Sequence, residues 1–313
     1  MLQKKVLHLD TNHPLLWEGL QQLGFENEFD TTSTKEEIIQ KIASYHGIVI
    51  RSKFTLDATI LKEAKSLEFI ARVGAGLENI DQEFAKKNNI ALIAAPEGNC
   101  NAVGEHALGL LLNLMNHIHK GHQEIKNGIW LREENRGEEI EGKTIGIIGY
   151  GHTGKKFAKK LSGFDAEVIF HDIQSGLQDA FAKQVTLKEL QQKADVISLH
   201  VPLTELTKHL VNKTFIEECN KSFWLLNTAR GACIQTQDAL DALNSGKIKG
   251  AGLDVLEFEK TSFETIFEQP NELLYQVIHH PNVILTPHIA GWSHESNVKL
   301  AQTIVQKIKK LYF

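Results

Sequence analysis

A glycine turn in the middle of the chain restricts its fold more than any other feature. Gly149-Tyr150-Gly151-His152-Thr153-Gly154 closes the apolar run Thr144-Ile145-Gly146-Ile147-Ile148 and leads into Lys155-Lys156-Phe157-Ala158-Lys159-Lys160-Leu161, which reads as the start of a helix. In a strand–turn–helix unit of this pattern the first glycine permits the tight turn. The second lets backbone approach a pyrophosphate, and the third allows close helix–strand packing. The helix N-terminus adds N–H donors and the positive end of its dipole. Asp172 follows a second apolar run, Glu167-Val168-Ile169-Phe170-His171, 18 residues after Gly154 (172 − 154). That is near the spacing at which a carboxylate meets an adenosine ribose hydroxyl. Residues 149–154 and Asp172 are therefore expected to bind NAD, since a carboxylate there repels the 2′-phosphate of NADP. The side chains of Tyr150 and His152 are expected to face the cleft.

More than a hundred residues precede this turn, and 313 residues exceed what one core usually organises, so two domains are expected. A formal net charge of −5 gives no reason to invoke nucleic acid or a membrane surface. The three cysteines, Cys100, Cys219 and Cys233, form no C-x-x-C pair and read as reduced thiols. Met1-Leu2-Gln3-Lys4-Lys5-Val6 runs directly into a strand-like segment without a signal-peptide pattern. The apolar run from Ala107 to Met115 is too short to span a bilayer. A cytoplasmic protein is expected.

Apolar runs alternate with amphipathic stretches throughout, the pattern of parallel α/β layers. Ahead of the glycine turn, strands are expected at Val6–Asp10, Gly47–Arg51, Glu68–Val73 and Ile90–Ala94, with helices at Pro14–Leu23, Lys35–Ala43, Asp57–Lys65 and Gln82–Lys87. After it, strands are expected at Glu167–His171, Asp195–His200, Phe223–Asn227, Gly250–Val255 and Asn282–Thr286. A single long helix is expected over Ala102–Asn127, buried between domains or against a second subunit, and a last helix over His294–Leu311. The fold expected is α/β with two doubly wound parallel-sheet domains. A Rossmann cofactor domain (101–287) is inserted in a flavodoxin-like substrate domain (1–100 plus 288–313).

Three polar residues stand at or near strand ends, where such sheets place their sites. Arg230 follows Leu225-Leu226-Asn227-Thr228-Ala229, and its planar fork suits bidentate capture of a carboxylate. His288 follows Pro287, which cannot extend a ladder, so the imidazole is presented in a loop. Glu259 lies in Asp254-Val255-Leu256-Glu257-Phe258-Glu259, and a carboxylate beside a histidine fixes its tautomer for proton transfer. Glu257 competes for that role. His117, His119 and His122 lack the i, i+4 spacing of a helical zinc site and read as a solvated face, while His279-His280 reads as loop.

With these residues in place the sequence resembles the D-2-hydroxyacid dehydrogenase family, in particular its phosphoglycerate dehydrogenase-like branch. The resemblance covers nearly the whole chain. It rests on Arg72-Val73-Gly74-Ala75-Gly76-Leu77-Glu78-Asn79-Ile80-Asp81, Gly142-Lys143-Thr144 before the glycine turn, Asn227-Thr228-Ala229-Arg230-Gly231, Gly252-Leu253-Asp254-Val255 and Thr286-Pro287-His288. It implies that His288 is the acid/base with Glu259 as partner, and that Arg230 binds the substrate carboxylate and polarises the C2 carbonyl. Asp254 would meet the nicotinamide carboxamide, and His200-Val201-Pro202, Thr228 and Ala229 would line the cofactor site. Backbone N–H groups of Val73, Gly74, Ala75 and Gly76 would hold the substrate carboxylate. Arg51, Ser52 and Asn99 match positions at the substrate's far end, although Arg51-Ser52 equally reads as a strand end satisfying nearby backbone. Lys260 stands where the family usually has proline, and the loop 257–269 is longer than usual. The implied substrate is a small 2-hydroxy or 2-keto acid, with 3-phosphoglycerate leading and glyoxylate or hydroxypyruvate close behind. A homodimer through the apolar helix carrying Ala107–Met115 is expected from that run itself. A rival of another class is an NAD(H)-sensing corepressor or scaffold on the same fold.

Overall fold

The computed structural model describes residues 3–259 and 271–313. The chain divides into two compact units, one of residues 3–99 and 292–313, the other of residues 100–259 and 271–291. The division thus falls at 291/292, where 287/288 was expected, so His288 shares a unit with Arg230 and Glu259.

The first unit holds a five-stranded parallel sheet of β1 (Lys5–His8), β2 (Glu26–Phe29), β3 (Gly47–Ile50), β4 (Phe69–Arg72) and β5 (Ala91–Ala94), in the order β2-β1-β3-β4-β5. This is the flavodoxin-like order, with its switch point between β1 and β3. The central strand β3 is buried along its whole length, as a strand covered by helices on both faces must be. One face carries Leu7, Ile48, Ile50 and Ile70, and the other Val6, Val49, Phe69 and Ala71. Helix His294–Tyr312 covers the second face with Leu300, Ala301, Ile304 and Ile308. Local chemistry starts the shorter helices: Thr34 and Glu37 form a capping box, and Asp81 accepts the Phe84 N–H at 2.9 Å.

The second unit holds seven parallel strands: β6 (Thr144–Ile148), β7 (Glu167–His171), β8 (Lys183–Gln184), β9 (Val196–Leu199), β10 (Phe223–Asn227), β11 (Ile248–Leu253) and β12 (Val283–Leu285). Their order, β12-β11-β10-β9-β6-β7-β8, is the Rossmann order with one added strand, and its switch point lies between β6 and β9. Ile148 and Leu225 face one core, while Ile145, Ile147, Trp224 and Leu226 face the other.

The long helix expected over Ala102–Asn127 is two helices, Pro96–Met115 and Ile118–Lys126. It starts six residues early because proline fits the first turn of a helix. It breaks at His117, whose φ of 51° is left-handed, and the Asn113 side chain accepts the His119 N–H at 2.7 Å. Ala107, Leu110, Leu111, Leu114 and Met115 lie in the core of their own unit, while Leu108 and Leu112 of the same run are only partly buried. No described helix is long and apolar enough to cross a membrane.

Candidate active site

The glycine turn leaves β6 at the switch point of the second unit. Gly149 has a φ of 91°, and a Cβ there would lie 2.5 Å from the His200 carbonyl oxygen. Gly151 precedes helix His152–Leu161 without a side-chain cap, and a Cβ on it would meet nothing within 4 Å. A Cβ on Gly154 would lie 2.2 Å from the Gly149 carbonyl oxygen. One glycine thus makes the turn, one leaves open space before uncapped N–H groups, and one lets helix and turn touch. Asp172 accepts the Tyr150 N–H at 2.7 Å and the Gln174 N–H at 2.9 Å, so its carboxylate also orders the turn. The Tyr150 side chain does not face the cleft. It stacks on Phe170 with ring centroids 3.8 Å apart and donates to Asp179 at 2.8 Å. His152 is exposed.

The residues present fit a bound NAD. Besides the open cradle at Gly151, the buried Thr228 Oγ1 and His200 Nδ1 have no hydrogen-bond partner among the described residues. His200 Nε2 lies 2.9 Å from Ser198 Oγ, and burial pulls the imidazole down to about 3, so it is neutral. Val201 and Pro202 follow it at the end of β9.

Arg230 sits in a turn built by the fully buried Asn227 at the end of β10. The Asn227 amide donates to the Arg230 carbonyl at 2.9 Å and accepts the Ala229 N–H at 3.0 Å. The Arg230 guanidinium donates to the Ala229 carbonyl at 2.7 Å. Gly231 is required next, because a Cβ there would lie 2.0 Å from the Leu256 carbonyl. This contact packs the arginine turn on the segment that leads to Glu259.

Glu259 closes its own turn by accepting the Leu256 N–H at 2.5 Å, and its other oxygen lies 2.8 Å from His288 Nδ1. Glu257 points elsewhere, to His209 Nε2 at 2.6 Å and to Thr236. Burial works against its charged form, but the Thr236 and His209 hydrogen bonds hold it below the ordinary carboxylate range. His288 itself has a φ of 53°, a left-handed conformation that costs about 1 kcal/mol or more for a non-glycine residue. Asp254 supplies the restraint. Its carbonyl accepts the His288 N–H at 2.8 Å, and its carboxylate accepts the Ile289 and Ala290 N–H groups at 2.8 Å and the Thr286 hydroxyl at 2.6 Å. His106 Nε2 approaches Thr286 Oγ1 at 2.9 Å from the helix Pro96–Met115. Asp254 is 2% exposed and organises the loop that carries the histidine, a task beyond the carboxamide contact the resemblance implies.

In the first unit, Arg51 and Ser52 follow β3 beside the switch point. Asp10 accepts the Arg51 N–H at 2.6 Å and the Ser52 N–H at 3.3 Å. The Arg51 guanidinium lies 4.3 Å over the Trp292 ring. Burial lowers its pKa from the usual arginine range, with Asp10 acting weakly the other way. Four backbone donors were expected at Val73–Gly76. Val73 N–H donates to Ile50 and Gly74 N–H to Arg72, which leaves those of Ala75 and Gly76 without partners among the described residues. Asn99 Oδ1 is buried with no hydrogen-bond partner among them. Lys260 and the rest of the loop through Gln269 lie outside the described residues.

Residues 108–290 match the family described as "D-isomer specific 2-hydroxyacid dehydrogenase, NAD binding domain", more than half of the chain. The chain belongs to this family. As a D-2-hydroxyacid dehydrogenase it is 34% identical to a hydroxypyruvate reductase of Thermotoga maritima over 96% of both chains. It is 35% identical to a D-3-phosphoglycerate dehydrogenase of Methanocaldococcus jannaschii, over 98% of this chain but 57% of that one. The chain therefore spans little more than half the length of that relative. Among solved structures, a D-lactate dehydrogenase from Aquifex aeolicus complexed with NAD and lactic acid superposes with a TM-score of 0.85. It is 25% identical, covering 98% of this chain and 95% of that one. The dehydrogenase residues that sequence reasoning missed are Asp10, Asn227 and Trp292 as supports. Asn227 ends a predicted strand and was within reach. Asp10 and Trp292 meet Arg51 only through the fold.

Proposed function

We propose that the protein interconverts a D-2-hydroxy acid and its 2-keto acid with NAD(H), and that the acid carries a second anionic group. On this reading 3-phosphoglycerate and phosphohydroxypyruvate are the leading pair. The observation that supports the anionic tail is Arg51: a half-buried guanidinium, face-on to Trp292, with no ion-pair partner among the described residues. Such a cation is a receptor for phosphate or carboxylate. Glu259 engages His288 Nδ1, so Nε2 exchanges the proton with the C2 oxygen, donating it in reduction and removing it in oxidation. Arg230 takes the substrate carboxylate and stabilises negative charge on the C2 oxygen as it develops. Bound nicotinamide supplies or accepts the hydride at C2. The turn at 149–154, with Asp172, His200, Val201, Pro202, Thr228 and Ala229, holds the cofactor.

Reduction of hydroxypyruvate or glyoxylate is the second reading, favoured by the full-length match to the Thermotoga hydroxypyruvate reductase. NADH oxidation with phosphohydroxypyruvate, hydroxypyruvate and glyoxylate decides between them. Arg51→Ala should lower kcat/KM for phosphohydroxypyruvate at least about tenfold and leave glyoxylate within about twofold. Equal losses on both refute the tail reading. No turnover by the wild type with any of the three refutes the enzyme reading and leaves an NAD(H)-sensing corepressor or scaffold. We also propose a cytoplasmic setting, supported by the buried, reduced thiols of Cys100, Cys219 and Cys233, and a homodimer, supported by the exposed Ile118, Ile125, Ile129, Trp130 and Leu131. Light scattering on the eluting protein tests it, and a monomeric mass refutes it.

A further inference from the structure

Glu257 was a rival for the acid/base partnership, and its geometry gives it a different place. Its Oε2 accepts both the N–H and the hydroxyl of Thr236, at 3.0 and 2.6 Å, and its Oε1 lies 2.6 Å from His209 Nε2. Thr236 opens helix Thr236–Asn244, whose preceding residue Gln235 makes no side-chain cap, so Glu257 serves this helix N-terminus from outside. His209 is itself anchored: its N–H donates to the Ala232 carbonyl at 2.8 Å, and its backbone is left-handed with a φ of 51°. The turn from Leu256 to Glu259 is thus tied on one side to two separate segments. On the same turn, the Leu256 N–H donates to Glu259 at 2.5 Å, and the Leu256 carbonyl packs against Gly231, next to Arg230. Among the described residues, Leu225, Ile234, Leu240, Val255 and Val277 line a small apolar cavity beside the turn, together with Thr236 and Glu257.

We propose that Glu257 is a positioning residue for the dehydrogenase reaction: braced by Thr236 and His209, it fixes the turn that aims Glu259 at His288 Nδ1. Both of its carboxylate oxygens are taken up by Thr236 and His209. A carboxylate in this place can be replaced by an amide, because the glutamine oxygen still accepts from Thr236 and its NH2 reaches the His209 ring nitrogen. The proposal rests on reading Glu259 and His288 as the acid/base pair, and wild-type turnover is the control that separates failure of that reading from failure of this one.

The test measures kcat, KM and NADH affinity with hydroxypyruvate and phosphohydroxypyruvate for E257A, E257Q, E259Q and the double variant E257A/E259Q. A misaimed proton donor costs about ten- to a hundredfold in kcat, so E257A should lose that much kcat with KM and NADH affinity changed less than about twofold. E257Q should recover most of the loss. In the E259Q background, E257A should cost almost nothing further, because its effect passes through Glu259. The proposal is overturned if E257A lowers kcat by the same factor with and without Glu259. It is equally overturned if E257Q is as poor as E257A, if NADH affinity falls in parallel, or if kcat is unchanged. His209→Ala removes one anchor at a half-exposed side chain, and the same comparison in the E259Q background applies should E257A not accumulate as folded protein.

Discussion

Replacing Asp254 with alanine removes the centre of the loop that presents His288. The carboxylate accepts three hydrogen bonds, from Thr286 Oγ1, Ile289 N–H and Ala290 N–H. Hydrogen bonds to a charged acceptor contribute about 1.5–3 kcal/mol each. Ile289 is 40% exposed and can turn to water, whereas Ala290 is 4% exposed and its N–H would stay buried without a partner. The sum is therefore discounted to about 3–5 kcal/mol of lost stability, a large share of a domain's usual margin. The left-handed backbone at His288 keeps its bond to the Asp254 carbonyl but loses the carboxylate bonds on either side, so the imidazole should drift and kcat should fall about a hundredfold or more. Asp254→Asn keeps one acceptor oxygen but sets an NH2 against a backbone donor, and should lose about 1–3 kcal/mol. Urea unfolding without cofactor gives the first quantity, and kcat at saturating NADH gives the second. If Asp254→Ala unfolds at the wild-type urea concentration, the strut is wrong. If it weakens NADH binding alone and keeps kcat, Asp254 is only a cofactor contact.

Three further outcomes are expected. Gly154→Ala places a methyl 2.2 Å from the Gly149 carbonyl oxygen, so the turn must shift, and NADH affinity by titration calorimetry should fall at least about tenfold. Wild-type affinity would show that the close approach is not needed. Asp172→Ser should raise kcat/KM for NADPH relative to NADH by about ten- to a hundredfold, and an unchanged ratio would show that Asp172 does not discriminate the 2′-phosphate. Burial pulls His200 from an ordinary 6.5 down to about 3. The unfolded chain therefore takes up a proton below pH 6.5 that the folded protein refuses. This contribution is complete above 6.5 and is lost as pH falls toward 3, by about 2 kcal/mol at pH 5. His200→Gln should flatten the urea midpoint between pH 7 and pH 5, and an unaltered slope would place the acid sensitivity elsewhere.

What was legible in the sequence was whatever acts over a few residues. The glycines of the turn, Asp172, and strands such as Glu167–His171 and Phe223–Asn227 follow from local backbone demands and continuous apolar runs. Strand Glu26–Phe29 was missed because it lies at a sheet edge, keeps two charged residues and alternates nothing. The break at His117 was missed because Asn113 and Asn116 look like ordinary helix surface until their side chains turn back on the chain. Tyr150 was misplaced for the opposite reason. A polar aromatic beside a ligand turn suggests solvent, but Phe170 and Asp179 satisfy its ring and its hydroxyl separately. Trp292 against Arg51 joins positions 241 residues apart (292 − 51), and no period or spacing encodes that pair.

On the proposed dehydrogenase reading, hydrogen bonding explains how the segment from Asp254 to Glu259 can hold so many carboxylates beside an acidic substrate. Asp254, Glu257 and Glu259 fall within six residues, and a substrate carboxylate brought near three free acids would be opposed by each. None is free. Asp254 is used by the Thr286–Ala290 loop, Glu257 by Thr236 and His209, and Glu259 by Leu256 and His288. Each carboxylate oxygen therefore faces a donor inside the protein, and the charge is kept but turned inward, where it holds a turn. On the proposed dehydrogenase reading, one short segment can hold a proton donor beside an anionic substrate because its three carboxylates are turned toward donors of the protein itself.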